Sequence, residues 1–338
     1  MTQPVAAARP NASILDASVV IVSFNTREVL RECLQTLARE SEGLSIETFV
    51  VDNVSGDGSA EMVEQDFPWV QLRRSGANLG FAGANNVAFR EARGRYVVLL
   101  NSDAFLAPGA LRLSIGKMDL TPRCGLAGAR LVGRDGAWQP SARMFPSLLN
   151  DFLMLSGLSA RYRTSRCFGR MDRTWADPAV DAEADWVPGA YSIIRKEALD
   201  QVGFFDESFF LYYEEVDLCR RIKAAGWQIW YWPDVVVVHL GGESSKTVKS
   251  LKMSRFGAQL TLWRVRSAML YYRKHHGALA WAAYRLERDW NALRAWKNAG
   301  KQGAASERKH EDSQLIVEVM DQAWRETRGG RVSPPRPW

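Results

Sequence analysis

Short apolar runs alternate with amphipathic segments over most of the 338-residue chain. The apolar runs have the composition of buried strands, and the segments between them carry apolar residues at helical spacing. The strands predicted first cover 18–23, 47–51, 70–73 and 96–100, and the helices cover 27–39, 60–65 and about 78–93. Strands that alternate with helices indicate an α/β fold with a mostly parallel, twisted sheet flanked by helices.

Beyond residue 100 the pattern is less regular. Helices are predicted at 109–120, 196–202 and 209–225, strands at 124–131, 227–231 and 235–239, and regular structure at 186–194. Residues 134–182 are rich in Arg, aromatic residues and turn formers, so we expect loops there.

Polar residues directly follow two of the predicted strands. Asp52 and Asn53 follow the second strand, and Asn101, Ser102 and Asp103 follow the fourth. Ligands of open α/β sheets bind beyond the carboxyl ends of the strands, so these side chains are candidates for one site. An Asp in this position is as often a turn former or a helix N-cap, and both interpretations stay open.

A second group of candidates lies far downstream. Glu214, Glu215 and Asp217 begin a predicted helix, and His239 ends a predicted strand. Acidic residues in a first turn also favour the helix dipole, and His239 could equally be a hydrogen-bonded core residue. Carboxylates from separate strand ends, with one His and no Cys pair, suit a hard divalent ion that completes its shell with phosphate oxygens.

The glycine-spaced stretch from Asn78 to Asn86 opens a predicted helix. Its backbone N–H groups could approach a phosphate, although an ordinary helix start packed near a strand explains the same spacing. The glycine signatures of dinucleotide-binding proteins and P-loop NTPases are missing, which argues against both classes.

Composition excludes several other classes. No apolar run approaches the roughly 20 residues of a membrane span, and residues 1–10 lack the features of a signal peptide. The four cysteines, at 33, 124, 167 and 219, show no paired spacing, which argues against a disulfide framework or a zinc site. We therefore expect a protein of the reducing cytoplasm.

The last quarter of the chain is basic. Residues 246–338 hold 19 Lys/Arg and 8 Asp/Glu, a net of +11, which leaves −5 for residues 1–245 out of the total of +6. Residues 251–298 and 313–327 read as helical, with Trp281, Trp290 and Trp296 among basic side chains. Such helices could rest on an anionic membrane, or the tryptophans could pack on the rest of the protein or in a homo-oligomer. No nucleic-acid recognition motif accompanies the basic residues.

These patterns divide the chain into four parts. We predict a disordered lead-in at 1–16, a catalytic domain at 17–245, a basic, Trp-rich helical region at 246–328 and a disordered tail at 329–338.

Several motifs over roughly 17–245 together resemble the family 2 inverting glycosyltransferases of the GT-A fold. They are VVIVSFN at 19–25, VVDNVSGDGS at 50–59, NLGFAGANN at 78–86, LLNSD at 99–103, WVPGA at 186–190, GFFDE at 203–207 and FFLYYEEVDLCRR at 209–221. Within that family they look most like the rhamnosyltransferase and galactofuranosyltransferase-like group.

The resemblance implies roles for the residues at the strand ends. Asp52 would bind the pyrimidine ring of the donor, with Ser23 and Asn25 lining the same base. The segment from Asn101 to Asp103 stands where the family has its metal-binding D-x-D, with Asn in place of the first Asp. The further nucleotide-binding candidates are Asn78, Asn85 and Ser102, and the candidate ligands of Mg²⁺ or Mn²⁺ are Asn101, Asp103 and His239.

The catalytic base would come from the acidic triplet. Glu215 falls where the family places its base, usually an Asp, so the choice among Glu214, Glu215 and Asp217 stays open. Trp186 and Gly189 are candidates for the acceptor side, beside the loops of 134–182.

The implied activity is metal-dependent, inverting transfer of a sugar from a dTDP- or UDP-sugar to a hydroxyl of a cell-surface glycan or lipid-linked precursor. Rhamnose from dTDP-rhamnose is the first expectation for the donor, and the inner face of the plasma membrane is the expected place of transfer. A non-catalytic module that binds sugar nucleotides or glycans is the alternative, and Asn101 and Glu215 are the departures that favour it. The motifs of processive synthases and of nucleotidyltransferases are absent.

Overall fold

A computed structural model describes residues 15–241 and 258–335. Ten strands form one sheet in the order β3-β2-β1-β4-β9-β6-β10-β5, with β7 beside β6 and β8 beside β10. The strands are β1 Ala17–Ser23, β2 Ile46–Asp52, β3 Gln71–Arg74, β4 Tyr96–Leu100, β5 Ala104–Leu106, β6 Cys124–Val132, β7 Trp138–Gln139, β8 Ala182–Glu183, β9 Tyr191–Arg195 and β10 Gln228–His239.

Eleven helices are described in these ranges. They are α1 Arg27–Glu40, α2 Ser59–Asp66, α3 Gly80–Phe89, α4 Ala110–Leu120, α5 Leu148–Leu155, α6 Leu158–Arg161, α7 Lys196–Val202, α8 Glu214–Ala224, α9 Ala258–His276, α10 Leu279–Asn298 and α11 Ala304–Glu326. Most of the predicted lead-in, residues 242–257 and the end of the predicted tail lie outside the described residues.

The sheet is mixed, although its first part is parallel as predicted. Strands β3, β2, β1 and β4 run parallel, and β9 runs antiparallel between β4 and β6. Successive side chains of a strand point to opposite faces, so Val19 and Ile21 enter one core while Val20 enters the other. Helices α1, α2 and α4 cover the first face, and α3, α7, α8 and α9 cover the second.

Several predicted elements differ from the structure. The two last strands are one strand, β10, whose register against β6 shifts between Trp232 and Val236. Strand β5, immediately after Asp103, and helix α5 were not predicted. The helix predicted from 209 begins only at Glu214, because Tyr213 before it adopts a left-handed conformation. The helical region 251–298 is broken at Gly277, where φ is +59°.

The chain beyond α11 is ordered as far as Pro335, so the predicted disorder is wrong for 329–335. A Cβ on Gly330 would lie 2.2 Å from the backbone oxygen of Met269, so this turn packs tightly against α9. The Ser333 hydroxyl donates a hydrogen bond to the Ser208 carbonyl at 2.7 Å. None of the helices in the described ranges combines the length and apolar character needed to span a bilayer.

Candidate active site

The carboxyl ends of β1 and β2 hold Asp52 in a buried position. Asp52 is 5% exposed, and its Oδ2 accepts a hydrogen bond from the Ser55 N–H at 3.1 Å. Its Oδ1 is buried and has no hydrogen-bond partner among the residues that the structure describes. Leaving a buried acceptor unpaired is costly, so this oxygen is suited to accept from a donor group on a ligand.

Asn25 shapes the loop beside Asp52. It adopts a left-handed conformation with φ of +53°, which Asn tolerates better than most residues. Its Oδ1 accepts from the Gly56 N–H at 2.8 Å, and its N–H donates to the Ser55 hydroxyl at 2.9 Å. Asn25 therefore joins the loops that follow β1 and β2.

A chain of buried hydroxyls connects this region to the end of β4. The Ser23 and Thr26 hydroxyls lie 3.1 Å apart, and Thr26 donates to the Ser102 hydroxyl at 3.1 Å. Ser23 and Ser102, both predicted from sequence, thus lie close together, because both hydroxyls contact the Thr26 hydroxyl. Thr26 was missed by the sequence analysis.

Asp103 and His239 meet although they are far apart in sequence. Strand β5 pairs antiparallel with the end of β10, and the Leu240 N–H donates to the Asp103 carbonyl at 3.1 Å. The His239 Nε2 lies 3.5 Å from the Asp103 Oδ1. The other ring nitrogen, Nδ1, lies 3.1 Å from the Gln139 Oε1, and the Gln139 amide donates to the His239 carbonyl.

This pair has the chemistry of a partial metal site. Two ligand atoms about 2.1 Å from one ion lie roughly 3.0–3.5 Å apart at angles near 90–110°, which fits the observed separation. Gln139 fixes the ring, and burial lowers the pKa of His239, against the effect of Asp103, so the imidazole is neutral as a ligand must be. No group of three or more His, Cys, Asp or Glu suitable for a metal occurs among the described residues. The residues therefore fit an ion that takes its other ligands from a diphosphate.

The loop before β9 connects the end of β4 to the acidic helix. The Asn101 N–H donates to the Ala190 carbonyl at 3.0 Å. A Cβ on the neighbouring Gly189 would lie 3.9 Å from the Glu215 Cβ, so Glu215 packs directly on this loop. The predicted Asn101, Gly189 and Glu215 thus lie along one continuous surface.

Glu214 and Glu215 form a buried carboxyl pair. Burial raises the pKa of Glu214 well above its usual range, and the charge of Glu215 adds to this effect. Burial also raises the pKa of Glu215, while its backbone hydrogen bonds and Arg143 oppose the shift. Glu214 is the hydrogen-bond donor of the pair, and each side chain keeps a buried Oε2 without a partner in the described residues. The hydrogen bond between them raises the pKa of Glu214 and lowers that of Glu215, so Glu214 is the more readily protonated member of the pair.

Asp217 lies apart from this pair. Its side chain is fully buried and contacts Arg221 at 2.8 Å, Lys274 at 2.7 Å and His275 at 2.7 Å. These partners outweigh burial and lower the pKa of Asp217 to about 2. Asp217 was one of three candidate bases, and a carboxylate this well compensated is poorly suited to accept a proton.

The asparagines of the glycine-spaced stretch hold protein segments together. Asn78 accepts from Asn53 at 2.8 Å and from the Gly80 N–H at 2.9 Å, and Asn85 donates to the Phe81 carbonyl at 2.9 Å. A Cβ on Gly80 would lie 2.2 Å from the Phe210 oxygen. Glycine at position 80 leaves room for the segment that precedes α8. Packing within the protein therefore explains the glycine spacing, and no bound phosphate is needed for it.

Trp186 is buried beside Arg143, which the sequence did not single out. The Arg143 guanidinium carbon lies 5.1 Å from the ring centroid of Trp186, and the indole N–H donates to the Met144 carbonyl at 2.9 Å. Arg143 also forms an ion pair with Asp172 at 3.1 Å. Neither Arg143 nor Gln139 lies in a recognisable motif, because each acts on a partner distant in sequence.

Acidic groups thus lie beyond the strand ends of a mixed α/β sheet. The model of the family described as "Glycosyl transferase family 2" matches residues 18–203, and the chain belongs to that family. It is a glycosyltransferase, and the predicted family and GT-A-type α/β fold are confirmed.

Three similar proteins refine the comparison. An N-acetylglucosaminyl-diphospho-decaprenol L-rhamnosyltransferase of Mycobacterium tuberculosis is 30% identical over 240 residues, covering 65% of this chain and 75% of the relative. Rhamnosyltransferase WbbL of Escherichia coli is 24% identical over 263 residues, covering 75% and 91%. The mannosyltransferase PcManGT of Pyrobaculum calidifontis, solved with GDP-Man and Mn²⁺, has a TM-score of 0.57 at 16% identity, over 95% of this chain and 90% of that one.

Proposed function

We propose that this glycosyltransferase moves a sugar, with inversion, from a dTDP- or UDP-sugar to a hydroxyl of a cell-surface glycan or lipid-linked precursor. Rhamnose from dTDP-rhamnose is the first candidate, because the two relatives described above are rhamnosyltransferases. The observation that carries the proposal is the loop that contacts Asn101 through Ala190 and Glu215 through Gly189. This loop lies between the candidate leaving-group site at Asn101 and the candidate base Glu215.

Asp52 would select the base of the donor. Its unpaired Oδ1 accepts hydrogen bonds only, which suits the N3–H of uracil or thymine. The N3 of cytosine carries no hydrogen at neutral pH, so a CDP-sugar would leave two acceptors facing each other. The same carboxylate therefore favours dTDP- and UDP-sugars over CDP-sugars.

Asp103 and His239 would hold a divalent cation against the donor diphosphate. When bound, Mg²⁺ or Mn²⁺ supplies positive charge that stabilises the departing nucleoside diphosphate. Asn101, in place of the first carboxylate of the family motif, leaves one fewer negative charge on the protein at this edge.

Glu215 would act as the general base. A single displacement needs one carboxylate to take the proton of the acceptor hydroxyl as its oxygen attacks the anomeric carbon. Glu215 is the more accessible member of the pair and its pKa is raised less, whereas Glu214 is buried and more readily protonated. A raised pKa also makes Glu215 a stronger base than an ordinary carboxylate. Trp186 and Gly189 would then border the acceptor.

The test is release of nucleoside diphosphate from dTDP-rhamnose, UDP-sugars and a CDP-sugar, with and without Mn²⁺ or Mg²⁺. We expect metal-dependent release from the dTDP or UDP donors, lost in Asp52→Asn and Asp103→Asn. Glu64→Gln is the matched control, because this exposed carboxylate pairs only with Arg74 at the surface. Nucleotide binding without turnover would contradict the proposal and favour the non-catalytic module.

We also propose that the protein is cytoplasmic and contacts an anionic membrane through α5 and α10. Phe152 of α5 packs on Trp290 of α10, with ring centroids 6.1 Å apart. The exposed large apolar side chains of these two helices are Leu149, Phe152, Met154, Trp281, Leu293 and Trp296, the last 73% exposed. Exposed basic residues without a carboxylate partner in the described ranges are Arg294, Lys297, Lys301, Arg308 and Lys309. Aromatic and basic side chains in this combination suit the interface of an anionic bilayer.

Sedimentation with vesicles tests this contact. We expect the protein to bind vesicles that contain phosphatidylglycerol. Salt and the Trp281→Ser/Trp296→Ser double variant should weaken this binding. Trp69→Ser is the control, because this exposed tryptophan lies before β3, outside α5 and α10. Equal binding to phosphatidylcholine alone would contradict it. So would a dimer that the double variant dissociates, because the face would then bind a second copy.

A further inference from the structure

We infer that α9 is a positioning element for the Glu214–Glu215 pair, an inference that rests on the proposed role of Glu215. Four α9 residues spaced four apart contact the segment from residue 210 to the first turn of α8, in the same order along both chains. The pairs are Trp263 with Phe210, Ser267 with Leu211, Tyr271 with Tyr213, and His275 with Asp217. Residues at i and i+4 share a helix face, so one stripe of α9 follows the whole segment.

Each contact in this stripe is close. The rings of Trp263 and Phe210 have centroids 4.4 Å apart, and the buried Ser267 hydroxyl donates to the Leu211 carbonyl at 2.8 Å. The rings of Tyr271 and Tyr213 lie 5.4 Å apart. The stripe therefore combines aromatic packing with one hydrogen bond to the backbone of the segment.

The segment needs such support because of its backbone. Tyr212 and Tyr213 have φ of +68° and +71°, a left-handed region that L side chains other than Asn and Asp seldom adopt. Strained residues of this kind persist only where the surrounding structure holds them. The two strained residues immediately precede Glu214, so they set the direction from which Glu214 and Glu215 enter the site.

The segment is held from its other side by α3. The Phe210 carbonyl accepts from the Phe81 N–H at 2.8 Å, and Gly80 leaves room for this approach. Phe210 therefore lies between Gly80 and Trp263. Its backbone contacts α3, and its ring packs on Trp263 of α9. Of the two supports, α3 belongs to the first part of the chain and α9 to the C-terminal region. The C-terminal region would therefore contribute to catalysis as well as to the proposed membrane contact.

Steady-state kinetics of the full chain tests the inference. Ser267→Ala removes the hydrogen bond to Leu211. We expect kcat to fall about tenfold, because a small misplacement of a catalytic group lowers the rate of the chemical step. The donor KM and the nucleotide Kd should not change. His275→Leu should behave similarly, and His275→Gln, which can still donate to Asp217, should recover most of the kcat. Thr261→Ala is the control on the same helix, since Thr261 makes none of these contacts.

Two results would overturn the inference. One is an unchanged kcat in Ser267→Ala and His275→Leu under conditions where Glu215→Gln is inactive. The other is a parallel loss of kcat, nucleotide affinity and Tm, which would show general destabilisation. If Glu215→Gln itself keeps full activity, the assignment of the base fails whatever the α9 variants do, so the two failures can be told apart.

Discussion

Two acidic sites on the first turn of α8 differ sharply in how their charge is compensated. Asp217 is surrounded by Arg221, Lys274 and His275. Glu214 and Glu215, at the start of the same turn, have each other as close carboxyl neighbours and keep buried oxygens unpaired in the described residues. The pKa moves down in the first case and up in the second.

The contrast distinguishes a carboxylate that stabilises the fold from a carboxyl pair that is suited to proton transfer. A fully paired carboxylate stabilises the fold but holds its charge too firmly to accept a proton. A carboxyl pair with raised pKa values costs stability and gains basicity, which is typical of active sites. Perturbing each member should therefore give a different kind of defect.

The largest effect should come from Glu215→Gln. Without the carboxylate the acceptor proton has no base, and we expect kcat to fall by about 10²–10⁴-fold with little change in donor KM. Initial rates of sugar transfer measure this. Glu197→Gln, an exposed carboxylate on α7, should keep wild-type rates. Retention of activity in Glu215→Gln would assign the base to another residue.

Asp217→Asn should mainly affect stability. It removes the negative partner of three cationic or polar groups, and breaking a buried pair costs about 3–5 kcal/mol in free energy of unfolding. Urea unfolding at pH 7 measures the loss. The folded pKa of Asp217 lies at about 2, below the ordinary Asp value of 3.8, so its contribution is present at neutral pH and is lost as pH falls through this interval. A variant as stable as wild type at pH 7 would contradict the pairing.

Glu214→Gln should shift a pH profile without removing activity. The Gln amide can still donate to Glu215 but is a weaker donor than a carboxylic acid, so the hydrogen bond that lowers the pKa of Glu215 is weakened. The pKa of Glu215 should then rise, and the acidic limb of kcat should move to higher pH. Arg143, the charged group that acts on Glu215 from the 143–186 region, remains in place. An unchanged limb would mean that the two carboxyls titrate independently.

The smallest effect should come from Lys274→Ala. Its side chain is partly exposed and contacts Asp206 as well as Asp217, and Arg221 and His275 remain on Asp217 after its removal. Exposed ion pairs contribute about 0–1 kcal/mol, so the unfolding free energy should change by no more than this amount. A loss near that of Asp217→Asn would show that Lys274 alone compensates the buried charge.

Much of this site was accessible from local sequence. The apolar runs before Asp52 and Asn101 predicted strands, and the rule that ligands bind beyond strand ends placed both residues at one edge. The sequence could not choose among Glu214, Glu215 and Asp217, since all three suit the start of a helix equally well. That choice depends on Lys274 and His275, which lie almost 60 residues further along the chain.

The same limit explains why the contacts of other residues could not be predicted from sequence. Asn78 and Asn85 sit in a glycine-spaced stretch that suits a phosphate, and in the structure their amides bind protein groups. Gln139 carries no local signal, because it acts on His239, 100 residues away.

Hydrophobic periodicity and motif order are properties of neighbouring residues, so they were enough to predict the α/β fold, most of its strands and the family to which the chain belongs. The three-dimensional structure was needed to show which carboxylates are compensated, that His239 meets Asp103, and that α9 contacts the segment that leads into α8. Charge compensation and burial depend on groups that approach through space, and local sequence does not encode those distances.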